Sequence, residues 1–589
     1  MRFMLSCFVL CVTWTTAASA EQEAAAATVR LIEIDGSYAD YSGGTDVDPI
    51  GSILGGGGRN RSLALLCSTL RSIATKKEFE AVFFDMSGTV GMNAAQASEF
   101  KRHIEKLKAA GIRTVALIKM ATTSVYTIAA HCDRVLLASH GDLDFHSPSV
   151  NALYVKDALD LLGVEVDTVR AGDFKAAVEP FMRSSMSEHL RAHYVEMITS
   201  INDTWLSEIE RGRGLKREDL RRLQSRRFID GDEAKEAGLV DEVVPFGTER
   251  RRVETWIGGD VRWVLPKPPA AKDMSFFEMM NLLTGRRATA RSDKECLAVL
   301  YLNGMISDGK SRMPGMMVSG PTIETIRKIK DDALVKGVVV RIDSPGGSVS
   351  ASIEIRAALL ELAAEKPVIV SMGSTAASGG YWISCLGRPV YAEATTITGS
   401  IGVFGMKPSL GPLMERLGVK VEYAELDRAS SAMNVDRGWT ESERRTLQKR
   451  VDKVYREFIT LVAEQRNSDA TTIEQSAGGR VFTGAQALKH DLVDELGGLE
   501  AAIAALKAAC KIEGKIQVWR FPQVDSAVNL IELLRQPGDY VTSPDSLSAL
   551  RLLAQSGYDL RPYLLMLQWS LTHRRPWVMA LCPSQFVIE

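Results

Sequence analysis

Apolar runs of strand length alternate along this chain with longer segments whose apolar positions recur at helical spacing, and the alternation occurs twice. Val29-Arg-Leu-Ile-Glu-Ile-Asp-Gly36 reads as a strand ending in a turn glycine. Ala81-Val-Phe-Phe-Asp85 reads as a second strand, and Ala94 to Ala110 as an amphipathic helix. Val299-Leu-Tyr-Leu-Asn-Gly304, Val338-Val-Val-Arg-Ile-Asp343 and the helical segment Ser352 to Glu365 repeat them in order. Further on, the strand Leu162-Gly-Val-Glu-Val-Asp167 returns as Leu417-Gly-Val-Lys-Val-Glu422. Asp230-Gly with Ala234 and Gly238-Leu-Val-Asp241 returns as Thr483-Gly with Ala487 and Asp491-Leu-Val-Asp494. Ile257-Gly-Gly before Trp263 and an apolar helix from Phe276 to Leu283 match Ile512-Glu-Gly before Trp519 and Val528 to Leu534. Ordered matches of this kind mark two diverged copies of one unit.

Strands alternating with helices predict right-handed crossovers on a mostly parallel sheet with helices on its faces, an α/β fold. The predicted organisation is a leader over 1–20, copy one over 28–283, a polar link over 284–294, copy two over 295–535, and an extension over 536–589 with no counterpart. The extension holds Tyr563-Leu-Leu-Met-Leu567 and Trp577-Val-Met-Ala-Leu581. Arg574, Arg575 and Pro576 interrupt it, so it reads as a packing or docking segment rather than a spanning helix.

A length of 589 residues is ample for two domains with their own cores. The formal net charge of -2 gives no electrostatic reason to expect a nucleic-acid partner. The cysteines form no CxxC pair, which indicates neither a zinc site nor a disulfide framework; no metal and no cofactor are expected. Arg2, the uncharged run Phe3 to Trp14 and Ala18-Ser19-Ala20 before Glu21 have the three parts of a secretory signal. Export is therefore expected, as a soluble protein if the leader is cut and a membrane-anchored one if it is kept.

The candidate chemistry centres on Met372-Gly-Ser-Thr-Ala-Ala-Ser-Gly-Gly-Tyr-Trp382. It follows the apolar run Pro367 to Ser371 and leads into a helical segment, which puts Ser378 at a strand-to-helix turn. Glycines after a serine admit a close substrate backbone, and free N–H groups at a helix start favour developing negative charge. A small-residue packing turn would read the same way, so the repeat has to decide. Copy two has Asp343-Ser-Pro-Gly-Gly347 after its second strand where copy one has Asp85-Met-Ser-Gly-Thr89. The loop from Met120 to Tyr126 is shorter than that from Met372 to Tyr381, so copy one lacks the serine. Conversely, copy one carries Arg170-Ala-Gly-Asp-Phe-Lys-Ala-Ala-Val-Glu-Pro-Phe181, and Lys175 falls where copy two has Ser430. Each half holds what the other lacks, which predicts one composite site.

A serine nucleophile needs a base. The only histidine of copy two, His490, lies in the predicted helix between Ala487 and Asp494, so a histidine triad has poor material. A lysine desolvated by Phe174, Val178 and Phe181 can serve instead, with Ser400 of Thr398-Gly-Ser-Ile-Gly402 to orient its amine. His189 and His193, at i and i+4 beside Arg191, read as a solvated helix face. Gly55-Gly-Gly-Gly58 lacks the lysine of a phosphate loop, and Asp343 and Asp494 read as turn caps.

Asp343-Ser-Pro-Gly-Gly347, Ala376-Ala-Ser-Gly-Gly-Tyr-Trp382, Thr398-Gly-Ser-Ile-Gly-Val-Phe-Gly405 and Gly172-Asp-Phe-Lys-Ala-Ala-Val-Glu-Pro-Phe181 together resemble the signal peptide peptidase A (protease IV) family in its double-domain form, over about 28 to 535. The resemblance implies tandem ClpP/crotonase-like domains and a Ser/Lys-dyad endopeptidase. It implies Ser378 as nucleophile, Lys175 as general base, Ser400 beside the lysine, and the N–H groups of Gly347 and Gly379 as oxyanion hole. It further implies peptide substrates such as released signal peptides, a periplasmic place near the membrane and a homo-oligomer. The leader and the extension depart from that pattern. Two rival readings stand beside it: a crotonase-type acyl-CoA enzyme, disfavoured by an exported chain, and a catalytically silent scaffold of the same fold.

Overall fold

The computed structural model describes residues 26–41, 61–265, 294–313, 315–522 and 579–581. The predicted leader over 1–20, the glycine run 55–58, nearly all of the link over 284–294, the helices predicted over 276–283 and 528–534, and most of 536–589 lie outside these residues. Among the described residues no helix is long and apolar enough to cross a membrane.

Each copy folds into a mostly parallel sheet with one antiparallel strand, and the central strands of the two sheets correspond. In copy one the order is Glu242–Val244, Arg134–Phe145, Arg113–Thr122, Ala81–Met86, Ala27–Glu33, Val261–Val264. All five neighbouring pairs are parallel. In copy two the strands Val390–Ala392, Val368–Ala377, Val335–Ser344, Cys296–Asn303 and Gln517–Phe521 follow the same path. The interior strands are near-continuous apolar runs, as parallel strands covered on both faces must be.

The main crossover helix of copy one, Ala94–Ala109, starts at a reciprocal cap between Asn93 and Gln96. It buries Ala97, Phe100, Ile104 and Leu107, a stripe at helical spacing. Its counterpart is Val349–Glu365, which buries Ile355, Ala358, Leu359 and Leu362 and ends just before Lys366-Pro367. This helix begins three positions earlier than the apolar spacing predicts, because the Ser348 hydroxyl caps it by accepting the Ala351 N–H. Burying each such leucine, isoleucine or phenylalanine contributes about 1.5–3 kcal/mol.

Structural hydrogen bonds are kept in both copies. The Tyr126 hydroxyl donates to the Leu239 carbonyl, as Tyr381 does to Leu492. Asp241 accepts the Val135 N–H, as Asp494 accepts that of Val390, and an arginine (Arg213, Arg466) clamps each aspartate.

One predicted strand is absent. Copy one's Leu-Gly-Val segment continues as the strand Glu165–Ala171, which pairs antiparallel with Val403–Ser409 of copy two over seven register positions. The copy-two counterpart, including Val419 and Val421, is exposed and forms no strand. A strand forms where an edge receives it, and among the described residues only the copy-one segment meets one.

The copies dock through charge as well as through that strand pair. Arg341 on a central strand of copy two is 1% exposed, and its guanidinium reaches Asp40 and Glu99 of copy one at 2.8 Å each. It also donates to the Ser371 hydroxyl and the Met372 carbonyl. Around it, Arg102 pairs with Glu393, and Arg71 and Lys106 with Glu500. Removing one partner of a buried ion pair costs about 3–5 kcal/mol, because the other charge is left unpaired. Arg341→Met is therefore expected to lower unfolding stability by about that amount in urea titration, with Asp40 and Glu99 stranded; a loss below about 1 kcal/mol would contradict this assignment of the interface.

Candidate active site

Ser378 ends the strand Val368–Ala377 and opens the short helix Gly379–Ser384, the turn expected of it. Its backbone has φ 56° and ψ -113°, a strained conformation for a residue with a side chain. Three contacts hold it there. Its N–H donates to the Gly399 carbonyl at 2.8 Å, and its carbonyl accepts the Trp382 N–H at 2.8 Å. Beneath it, Gly380 lies so close to Ser344 that an added Cβ would stand 2.5 Å from the Ser344 carbonyl oxygen.

Lys175 arrives from the other copy. Past the strand Glu165–Ala171 the chain turns at Gly172 and Phe174 donates to the Gly478 carbonyl, so that Lys175 begins a short 3-10 helix. Its Nζ lies 2.8 Å from Ser378 Oγ, 2.9 Å from Ser400 Oγ and 2.9 Å from the Ser400 carbonyl oxygen. Lys175, Ser378 and Ser400 are each 0% exposed. Ser400 also has positive φ, and its N–H donates to the Arg480 carbonyl. An added Cβ on Gly479 would sit 2.5 Å from the backbone nitrogen of Lys175, so only glycine fits behind the lysine's backbone.

The apolar wall beside the amine differs in part from expectation. Val178 and Phe181 are buried and pack with Phe404 and Met406 of copy two. Phe174 is only half-buried, its ring under the Arg480 guanidinium at 3.9 Å and edge-on to His193. His193 is a correction as well: it is buried, and its Nε2 accepts the Val481 N–H at 2.9 Å, where a solvated face was expected. Burial holds its imidazole below the usual range. Its helix, Glu188–Arg213, packs Met197, Ile201 and Trp205 against Ala377, Ile397 and Val481, so copy one buttresses the serine strand directly. The spacing of His189 and His193 could not disclose this, because the covering surface belongs to the other copy. His189 is exposed, and His490 is an exposed helix end bonded to Ser476.

Gly347 lies in the short buried strand Gly346–Ser348, which packs against the helix that Gly379 begins. An added Cβ on Gly347 would lie 2.0 Å from the Ile306 carbonyl oxygen. Asp343 accepts the Thr375 N–H at 2.9 Å and ties the Ser-Pro-Gly-Gly turn to the serine strand. Among the described residues the one group of metal-ligand composition is Glu105, His131 and Glu208 on copy one. Each imidazole nitrogen faces a different carboxylate and Lys101 pairs with Glu208, which is an ion-pair cluster.

A serine from one α/β copy and a lysine from the other thus meet in a buried contact between tandem copies of one fold. The family description "Peptidase family S49" matches residues 106–255 and 361–513, and the chain belongs to that family. It is 28% identical to "Protease 4" of Salmonella typhi over 461 residues, 77% of this chain and 73% of that protein. It is 31% identical to "Protease 4" of Haemophilus influenzae, over 68% of this chain and 65% of the relative. It is 29% identical to "Serine protease SPPA, chloroplastic" of Arabidopsis thaliana, over 77% of this chain and 65% of that protein. For the latter two, the match spans just under two thirds of the relative's length.

Burial, and next the Asp40 charge, push the Asp343 carboxyl up to about 7 from 3.8. The folded protein thus holds a proton that the unfolded chain releases, so this group's stabilising contribution is full below about 3.8 and is lost as pH rises through about 7. Asp343→Asn keeps an oxygen for Thr375 without the charge. Its stability relative to wild type is expected to increase from pH 4 to pH 8 in urea titrations, roughly across the range the shift spans. A constant difference would contradict the assignment.

Proposed function

We propose that this chain is a serine endopeptidase working through a Ser/Lys dyad assembled from its two copies. The observation that carries the reading is the 2.8 Å contact between Lys175 Nζ and Ser378 Oγ, with Ser400 as the amine's second partner. The Ser400 carbonyl can only accept, so it takes one N–H of a neutral amine. Ser400 Oγ takes the other, and the nitrogen lone pair is left facing the Ser378 hydroxyl. Zero exposure favours the neutral amine over an ammonium ion, because desolvation penalises the charged form.

In this reading Oγ attacks the substrate carbonyl while its proton passes to Lys175 Nζ. The N–H groups of Gly347 and Gly379 receive the oxyanion, a contribution of about 3–4 kcal/mol per donor in comparable sites. The lysine then returns the proton to the leaving amine, which frees the first product and leaves an acyl-enzyme. A water deprotonated by the same lysine hydrolyses that ester and restores Ser378. The family resemblance and the secretory pattern of the first twenty residues support an exported enzyme that degrades released signal peptides beside the membrane on its periplasmic side. The family resemblance supports a homo-oligomer.

The test is hydrolysis of an unstructured, signal-peptide-like substrate by wild type, Ser378→Ala and Lys175→Ala. Ser378→Ala is expected to fall to background and Lys175→Ala to lose roughly 10²–10⁴-fold in kcat, the range for a general base. Both should keep the wild-type melting profile. Full activity in Lys175→Ala across neutral pH would assign the base elsewhere.

A further inference from the structure

The peptide bond between Arg480 and Val481 is hydrogen-bonded at both ends, and both bonds bear on the site. Its carbonyl accepts the Ser400 N–H at 2.6 Å, and its N–H donates to His193 Nε2 at 2.9 Å. A trans peptide points these two groups in opposite directions. The carbonyl faces the segment that ends in Ser400, and the N–H faces away from Val481–Thr483, the edge strand of the copy-two sheet. His193 meets it there from the copy-one helix Glu188–Arg213.

Two of the site's three side chains depend on the strand pair held at this point. Gly399, opposite Val481 in the register, gives its carbonyl to the Ser378 N–H at 2.8 Å. Ser400, the next residue, holds Lys175 Nζ through its hydroxyl and its carbonyl at 2.9 Å each. Its φ of 51° is strained for a serine, so its surroundings must hold it there. In the same turn the Gly478 carbonyl accepts the Phe174 N–H, and Gly479 donates to the Ile401 carbonyl, both at 2.8 Å. The turn 478–481 therefore joins the residue before the lysine to the residues that hold its amine, and His193 fastens that turn to copy one.

We infer that His193 is a positioning residue for the dyad: its neutral imidazole accepts the Val481 N–H, and that bond fixes Ser400 against Lys175. The inference rests on the dyad reading and adds the group that sets the amine's acceptors in place. His193 is 6% exposed, and the rings of Phe174 and Phe482 stand edge-on to it at 5.5 Å and 6.1 Å, so the amide's acceptor is the imidazole rather than solvent. The accepting nitrogen carries no proton, which places the ring's proton on Nδ1. A second proton would turn Nε2 into a donor facing the Val481 N–H, and the bond would be lost. The charged and titratable groups around the ring are Arg480 on the copy-two turn, Glu196, His189 and Tyr194 on its own helix, Lys175 beyond Phe174, and His490 behind Phe482. Burial disfavours the imidazolium against the pull of the Glu196 carboxylate, and the Arg480 charge adds to that effect.

The test follows acylation of Ser378 by an alkyl phosphonofluoridate, read by intact mass, in wild type, His193→Leu, His193→Gln and Lys175→Met. Leucine fills the space without an acceptor, whereas glutamine offers Oε1 to the Val481 N–H and does not titrate. His193→Leu is expected to be slower by roughly 10–100-fold, the scale of an ångström-sized misplacement, and His193→Gln to recover most of the wild-type rate. In peptide hydrolysis the loss in His193→Leu should fall on kcat and leave KM unchanged, because His193 reaches the site only through Val481. In wild type the logarithm of the acylation rate should climb with pH at slope one where Lys175 alone titrates. It should steepen towards two between about pH 6 and pH 4, where a second proton enters His193. In His193→Gln the slope should stay at one throughout. This comparison needs only wild type and His193→Gln, so it decides the matter even where His193→Leu does not fold. A wild-type rate in folded His193→Leu beside a slow Lys175→Met, or the same slope in wild type and His193→Gln, overturns the inference and leaves the dyad standing. Wild-type rates in both His193→Leu and Lys175→Met overturn the dyad reading and the inference with it.

Discussion

Everything about this site depends on a hydrogen-bond contact between two side chains 203 residues apart, Lys175 Nζ and Ser378 Oγ, held at 2.8 Å between the two copies. Neither copy can make it alone, so the chemistry is only as accurate as the docking of one half on the other. That docking is tightly specified. Seven register positions pair the strand before Lys175 with the strand after Ser400, and a slip of one residue would turn every side chain to the opposite face. The helix Glu441–Gln465 covers the same strand from outside, with Gln448 bonded to the Arg170 carbonyl and Val451 packed on Val169 and Ala171. On the far side Arg341 joins copy two to Asp40 and Glu99. A displacement of an ångström is enough to spoil catalytic alignment, which gives this redundancy a physical purpose.

The two copies share their scaffold and divide the residues of the proposed dyad. Both retain the buried tyrosine hydroxyl bond and the aspartate that caps a strand, because each sheet needs those bonds to satisfy buried backbone groups. The strained serine, the Pro-Gly-Gly turn and Ser400 remain only in copy two, and the lysine only in copy one. Strain such as the positive φ of Ser378 and Ser400 persists only where the surroundings enforce it. Here the enforcing contacts come in part from the opposite copy, through His193 and Trp205 of the helix Glu188–Arg213.

Much of this was legible in the sequence, for identifiable reasons. Parallel strands covered on both faces are continuous apolar runs and amphipathic helices repeat at their own period, so two mostly parallel sheets could be read from pattern, though not the order of their strands. Comparing the copies exposed the complementary loss of serine and lysine without any structure. What escaped were features whose cause lies in another part of the chain. Arg341 interrupts an apolar strand, and only the fold reveals the carboxylates that neutralise it. His193 looked solvated because its cover comes from copy two. The counterpart of the Lys175 strand looked like a strand because its residues favour one, yet among the described residues no edge receives it. The strand Met579–Leu581 escaped because three apolar residues carry no periodic signal until their neighbours are known.

The measurement that bears most directly on the composite site is the rate at which an alkyl phosphonofluoridate acylates Ser378, followed by intact mass against pH in wild type and Lys175→Met. The account predicts a wild-type rate that climbs with pH through one titration, and a variant slower by roughly 10²–10⁴-fold with that titration gone. Equal rates and equal pH profiles in the two proteins would mean that Lys175 does not activate Ser378, and the division of labour between the copies would fail as an explanation of the site.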